Sequence, residues 1–185
     1  KQVIFGIGGE MSKRLKDLNM SISEVNPVID PEAGKYVLDE MIREAGVKML
    51  YHTWGANVIM DGNTIKGVFV ESKSGRMAVL AKVVIDCTGD GDIFHWAGET
   101  YDEMKYHIGL VHRLGNIDRI DTGKPGYTKM EIGQPTPIPS VNWVNMHGQN
   151  DQNGVDMLNL SRLQMEYRRE IWESVQKIRQ TPGYE

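Results

Sequence analysis

The chain has 185 residues, 40% hydrophobic and 25% charged, an ordinary globular balance with enough apolar material for a packed core. A formal net charge of −4 and the lack of any Lys/Arg block argue against a nucleic-acid surface. No apolar run reaches the roughly 18 residues of a membrane helix, and the N-terminus has no secretory pattern.

The chain opens on KQVIFGIGG without an initiator Met and stops at TPGYE, just after a helical pattern, so both ends read as cut. Residues 9–20 come first, with Met11, Leu15 and Leu18 at helical spacing and Lys13, Arg14, Lys16 and Asp17 opposite. A second, better-signalled helix spans 31–45. Asp30 is its N-cap, Pro31 suits the first position, and Glu32 suits the positive end of the dipole. Val37, Leu38, Met41, Ile42 and Ala45 form its apolar face, and Gly46 is a natural stop.

Strands are expected next, over VKMLYHT (47–53) and NVIM (57–60). The turn at Asp61-Gly62 leads into TIKGVFVES (64–72), and the turn at Ser74-Gly75 into RMAVLA (76–81). VVI (83–85) then has the short apolar character of a buried parallel strand. From Glu99 the texture changes. Residues 116–158 hold four of the seven prolines and read as long loops, with strands over YHIGLVHRL (106–114) and SVNWVNM (140–146). The last element is a helix in which Ser161 and Gln164 match a capping box. Leu163, Tyr167, Ile171, Trp172, Val175 and Ile178 make its apolar face, and Pro182-Gly183 ends it.

The chemistry-bearing segment is VVIDCTGDGD (83–92). Glycine lets a backbone turn sharply and approach a ligand. A loop at the carboxyl end of a strand is where open α/β sheets bind ligands, and its free amides can meet phosphate oxygens. On composition alone, TGDGD also reads as a tight turn before a short helix at IFHWAG. Asp86, Asp90 and Asp92 alternatively offer three carboxylates of the kind that hold Mg²⁺. At the N-terminus, Gly6 and Gly8, with Glu24 18 residues after Gly6, imitate a dinucleotide fingerprint, but Met11 stands at the third glycine position. His52, His95, His107, His112 and His147 show no metal-ligand spacing. His107 and His112 are expected on opposite faces of their strand. Cys87 has no C-x-x-C partner and reads as a small buried residue under the loop, and a lone cysteine suits a reducing, cytoplasmic setting. Trp54 and Trp96 flank the expected ligand strands and could line a pocket or the core.

In order, IDPEAGKYVLDEMIREAGVKMLYHT, GNTIKGVFVESKSGRMAVLAKVVIDCTGDGDIFHWAG and the closing LSRLQMEYRREIWESVQKIRQTPGYE resemble the bacterial FAD-dependent oxidoreductases with the glutathione-reductase type of FAD fold. The resemblance implies an α/β fold. Residues 1–98 would be part of an FAD/NAD(P)-binding Rossmann-like domain with a three-stranded meander, and residues 99–185 part of an α+β substrate domain. It implies that Thr88, Gly89, Asp90 and Gly91 approach the pyrophosphate and ribityl chain of FAD. Cys87 stands where the family usually has Ala. Trp54 and Gly55 would be the counterpart of the strand that meets adenine, although an aliphatic residue is common at Gly55. The family's first glycine loop and its C-terminal FAD segment have no counterpart here.

Three functions therefore stand open: part of a flavin oxidoreductase acting on a small molecule, a folded but non-catalytic module, and a Mg-dependent hydrolase or phosphotransferase using Asp86, Asp90 and Asp92. His107, His112 and Arg113 fall in the expected substrate region; the catalytic residues, substrate and oligomeric state are not legible.

Overall fold

The computed structural model describes residues 5–22, 27–102, 104–120 and 132–184, and for residues 146 and 147 the backbone alone. It is a mixed α/β chain whose paired strands run antiparallel, in two compact units. One unit comprises residues 1–46 and 104–185, the other residues 47–103.

In the first unit, helix α1 (Ile7–Asp17) leads to the two-residue strands β1 (Ser21–Ile22) and β2 (Val28–Ile29), and then to helix α2 (Pro31–Glu44). The α2 start is as its sequence dictates. Asp30 sits in extended backbone and its carboxylate accepts from the Glu32 and Ala33 amides at 2.8 and 2.9 Å. These donors have no partner within the helix, so the cap removes a real cost. Leu15 of α1 is fully buried and Val37 of α2 nearly so. Arg14 joins the two helices at their rim, bonding Glu10 and Glu44, each at 2.6 Å.

Further along this unit, β6 (Tyr106–Leu114) pairs with the long β8 (Asn142–Gln152), and the short β7 (Gln134–Pro135) pairs with the other edge of β8. Helix α4 (Met157–Arg179) packs on β6 and β8. Leu163, Tyr167 and Ile178 are its buried residues, whereas Trp172, expected on the same face, is exposed. The helix begins earlier than the capping box implied. Asp156 is the N-cap, accepting from the Leu158 and Asn159 amides, each at 3.0 Å. Ser161 lies one turn inside and donates back to the Met157 carbonyl. The polar run before Met157 supplied the better acceptor.

The second unit holds the meander β3 (Thr53–Asp61), β4 (Thr64–Ser72) and β5 (Gly75–Leu80), in that spatial order. Val58 and Val70 are buried and β5 is exposed throughout. Helix α3 (Asp92–Trp96) packs on β3 and buries Ile93.

Two expected strands do not form. The strand expected over 47–53 begins only at Thr53 and merges with the one expected over 57–60 into β3. Residues 83–85 are irregular, with Val83 76% and Ile85 79% exposed, so the buried-strand reading fails. A strand is not a local structure. Its N–H and C=O groups need a neighbouring ladder, and no described segment pairs with either stretch.

Candidate functional site

The glycine loop lies between residues 85 and 92 of the second unit and is built around one carboxylate. Asp86 Oδ1 accepts from the Thr88 amide at 2.9 Å and from the Thr88 hydroxyl at 2.7 Å, an Asx-turn closed by its own side-chain partner. The Thr88 hydroxyl in turn accepts from the Gly91 and Asp92 amides, both at 3.0 Å. Asp86 Oδ2 reaches across the loop and accepts from the Phe94 amide at 3.0 Å. Two side chains thus satisfy the leading amides of α3, which has Gly91 rather than a capping side chain at its N-cap. Hydrogen bonds, first of all from the Thr88 amide, hold the Asp86 carboxyl below the usual aspartate range.

This arrangement leaves the loop apex open. Gly89 has φ 87° and Gly91 φ 75°, backbone that L side chains rarely adopt. A Cβ placed on Gly89 would meet nothing within 4 Å. Thr88, Gly89 and Asp90 are exposed. Among the described residues, no protein acceptor takes the Gly89 or Asp90 amide. Two adjacent N–H groups at this braced turn are therefore without a protein acceptor among the described residues.

Cys87 is exposed with a free thiol, so the expectation that it is buried under the loop fails. Its neighbours bond one another around it and leave its side chain outside. Trp54, in β3, is 76% exposed. The position of a Gly55 Cβ lies 3.9 Å from the Trp96 ring, which packs over that glycine. Helix α3 thus has the glycine loop at one end and the Gly55 contact near the other, roughly 7 Å apart along a five-residue helix. Trp54 and the loop share this unit, without a bond between them.

Asp86, Asp90 and Asp92 do not assemble as a metal centre. Both oxygens of Asp86 are engaged by loop donors, and no trio of His, Cys, Asp or Glu among the described residues could hold an ion. At the N-terminus, Gly6 (φ 65°) caps α1 and Met11 lies inside that helix, while Glu24 falls outside the described residues.

His107 Nδ1 pairs with Asn150 Oδ1 at 2.9 Å, between β6 and β8. Along β6, His107 lies on the exposed side and His112 on the half-buried side, as expected. The His147 side chain and residues 121–131 of the expected loop region lie outside the described residues.

Two features escaped the reading of the sequence. Asp86 organises the loop, a role signalled only by the Asp-x-Thr spacing of an Asx-turn. The Tyr101 hydroxyl lies 2.8 Å from His95 Nδ1 with the rings edge to face, so a tyrosine beyond the loop region steadies α3. No described helix is long and apolar enough to cross a membrane.

No curated protein and no solved structure matches this chain. The model of one family, FAD dependent oxidoreductase, matches residues 1–109. That span takes in α1, α2, the meander, the glycine loop and the start of β6. By this match over more than half its length, the chain belongs to the FAD-dependent oxidoreductase family.

Proposed function

We propose that the loop at residues 86–91 forms part of the FAD site of an oxidoreductase that acts on a small molecule. The observation that carries this reading is the pair of amides at the exposed residues Gly89 and Asp90, without protein acceptors among the described residues, beside the open space over Gly89. Such amides suit pyrophosphate oxygens, and the Asp90 carboxylate suits the hydroxyls of a ribityl chain. The residues fit one portion of the cofactor. When bound, the flavin supplies the hydride chemistry. This chain's loop contributes position: Asp86 and Thr88 fix the backbone, and the glycines let the cofactor approach. Trp54 and Gly55 are proposed to meet the adenine end, and Cys87 to border the loop.

The unit that carries the loop is proposed as part of a Rossmann-like FAD-binding domain, a class of fold in which ligands meet the loops at the ends of the sheet.

The test is FAD binding by the protein expressed from its complete gene. A yellow preparation with flavin absorbance, weakened by Thr88→Val, is expected. A colourless preparation whose melting temperature does not respond to added FAD would contradict the proposal.

A further inference from the structure

In the first unit, a cleft of about 560 Å³ opens beside α4, between that helix, the end of β6 and the turn at Ile117–Arg119. Its volume is that of a site for a small organic molecule. Its lining has a marked charge asymmetry. Arg113, Arg119, Arg168 and Arg179 all line it, and among the described residues no aspartate or glutamate does. Asp118 lies in the same turn but not on the cleft wall.

Most other arginines on the molecule are paired; among the described residues Arg169, outside the cleft, is not. Arg14, Arg43, Arg76 and Arg162 each bond a carboxylate on a neighbouring turn, strand or helix. Among the described residues, no ion pair holds any of the four cleft guanidiniums. Four like charges around one concavity repel one another, so an uncompensated set at one place is costly unless an anion joins it. Guanidinium groups are planar forks that bind carboxylate and phosphate oxygens two at a time.

The cleft floor has a different character. Ile171, Trp172 and Val175 line it from α4. Trp172 is 65% exposed, a large aromatic face left in water. On α4, Arg168 and Arg179 bracket this apolar stretch. They are eleven residues apart, or roughly 16 Å along the axis. Positive ends with an apolar middle match a ligand of the inverse pattern.

We propose that this cleft binds a small organic anion with a flat apolar body, anchored by its carboxylate or phosphate groups on the arginines and stacked on Trp172. The proposal is independent of the flavin loop, which lies in the other unit.

The test uses the full chain and four probes: naphthalene-2,6-dicarboxylate, 2-naphthoate, neutral 2-naphthylmethanol and inorganic phosphate. Binding is read by calorimetry, and by tryptophan fluorescence in wild type against Trp172→Phe. The dicarboxylate is expected to bind best, with the neutral alcohol weaker by on the order of tenfold or more. Added salt should weaken the dicarboxylate and leave the alcohol unchanged. Arg168→Gln and Arg179→Gln, both at exposed positions, should each weaken the dicarboxylate by about tenfold with unchanged circular dichroism. Phosphate alone should bind more weakly than the dicarboxylate, because it cannot use the apolar floor. Equal affinity for dicarboxylate and alcohol, wild-type binding by both arginine variants, phosphate binding as tight as the dicarboxylate, or no binding by the folded chain would each overturn the proposal.

Discussion

The Asp86 carboxylate takes both the amide and the hydroxyl of Thr88, at 2.9 and 2.7 Å, so one side chain fixes the entry to the glycine loop. Through its second oxygen the same carboxylate reaches Phe94 on the far side. The loop is therefore braced from below, and its apex keeps two amides without a protein acceptor among the described residues. Asp86→Ala should release this brace. Amide hydrogen exchange at Thr88, Gly91, Asp92 and Phe94 is expected to speed up by on the order of tenfold, while β4 amides keep their wild-type rates. Unchanged exchange at Thr88 and Phe94 would show that the loop does not need the carboxylate.

Acid should act on the same brace. The folded-state pKa of Asp86 is lowered, by hydrogen bonds from Thr88 first. A group of this kind contributes stability fully above its unfolded pKa, near 4. That contribution fades as pH falls through the lower, folded value. Protection of the loop amides, their exchange relative to the intrinsic rate at each pH, is thus expected to be flat from neutral pH down to about 4 and to fall below it. Asp86→Asn, which does not titrate, should lack that fall, so the difference between the two acid profiles is the measurement.

Gly89→Ala separates strain from contact. The new methyl meets no atom of the chain, but φ 87° is unfavourable for alanine. The substitution should cost about 1–2 kcal/mol locally and leave the meander intact. If the apex receives a cofactor, the methyl also occupies that space. FAD affinity should then fall by more than the stability loss accounts for, as titration of the two proteins would show.

Asp30→Ala removes the acceptor for the Glu32 and Ala33 amides. A loss of about 1 kcal/mol is expected on urea unfolding of the unit containing α2, and Asp30→Ser should recover most of it.

Leu15→Ala empties a fully buried site in that unit and should cost about 2–5 kcal/mol. Lys13→Ala, on the exposed face of the same helix, serves as the control. A Leu15→Ala variant as stable as Lys13→Ala would mean that the α1 contact is not part of the unit's core.

The elements legible in the sequence were those whose causes are local. Asp30-Pro31 marked the start of α2 to the residue, because a cap and a fixed φ act over three positions. The turn signals at Asp61-Gly62 and Ser74-Gly75 fell within one residue of the two-residue turns at 62–63 and 73–74 that divide β3, β4 and β5, because such a turn fixes the pairing on either side. The strand over 106–114 was likewise placed by its own pattern. Residues 47–52 and 83–85 misled because apolar composition states a preference for burial, whereas a strand needs a partner in the ladder. The last helix began at Met157 because Asp156 out-competed Ser161, a choice between two acceptors that spacing alone does not decide. In the candidate site, the glycines were visible as positions needing freedom. The second bond of Asp86, to Phe94, spans eight residues and depends on how the loop folds back. The arginine cleft was still less visible, since Arg113 and Arg168 converge only through tertiary packing.

The most direct measurement is the visible spectrum of the protein from its complete gene, taken for wild type and for Thr88→Val. Flavin absorbance in the wild type, with FAD retained less tightly by Thr88→Val, is the predicted result. A colourless wild type that does not take up added FAD, or a Thr88→Val protein that holds FAD as tightly as wild type, would contradict the role assigned to the loop.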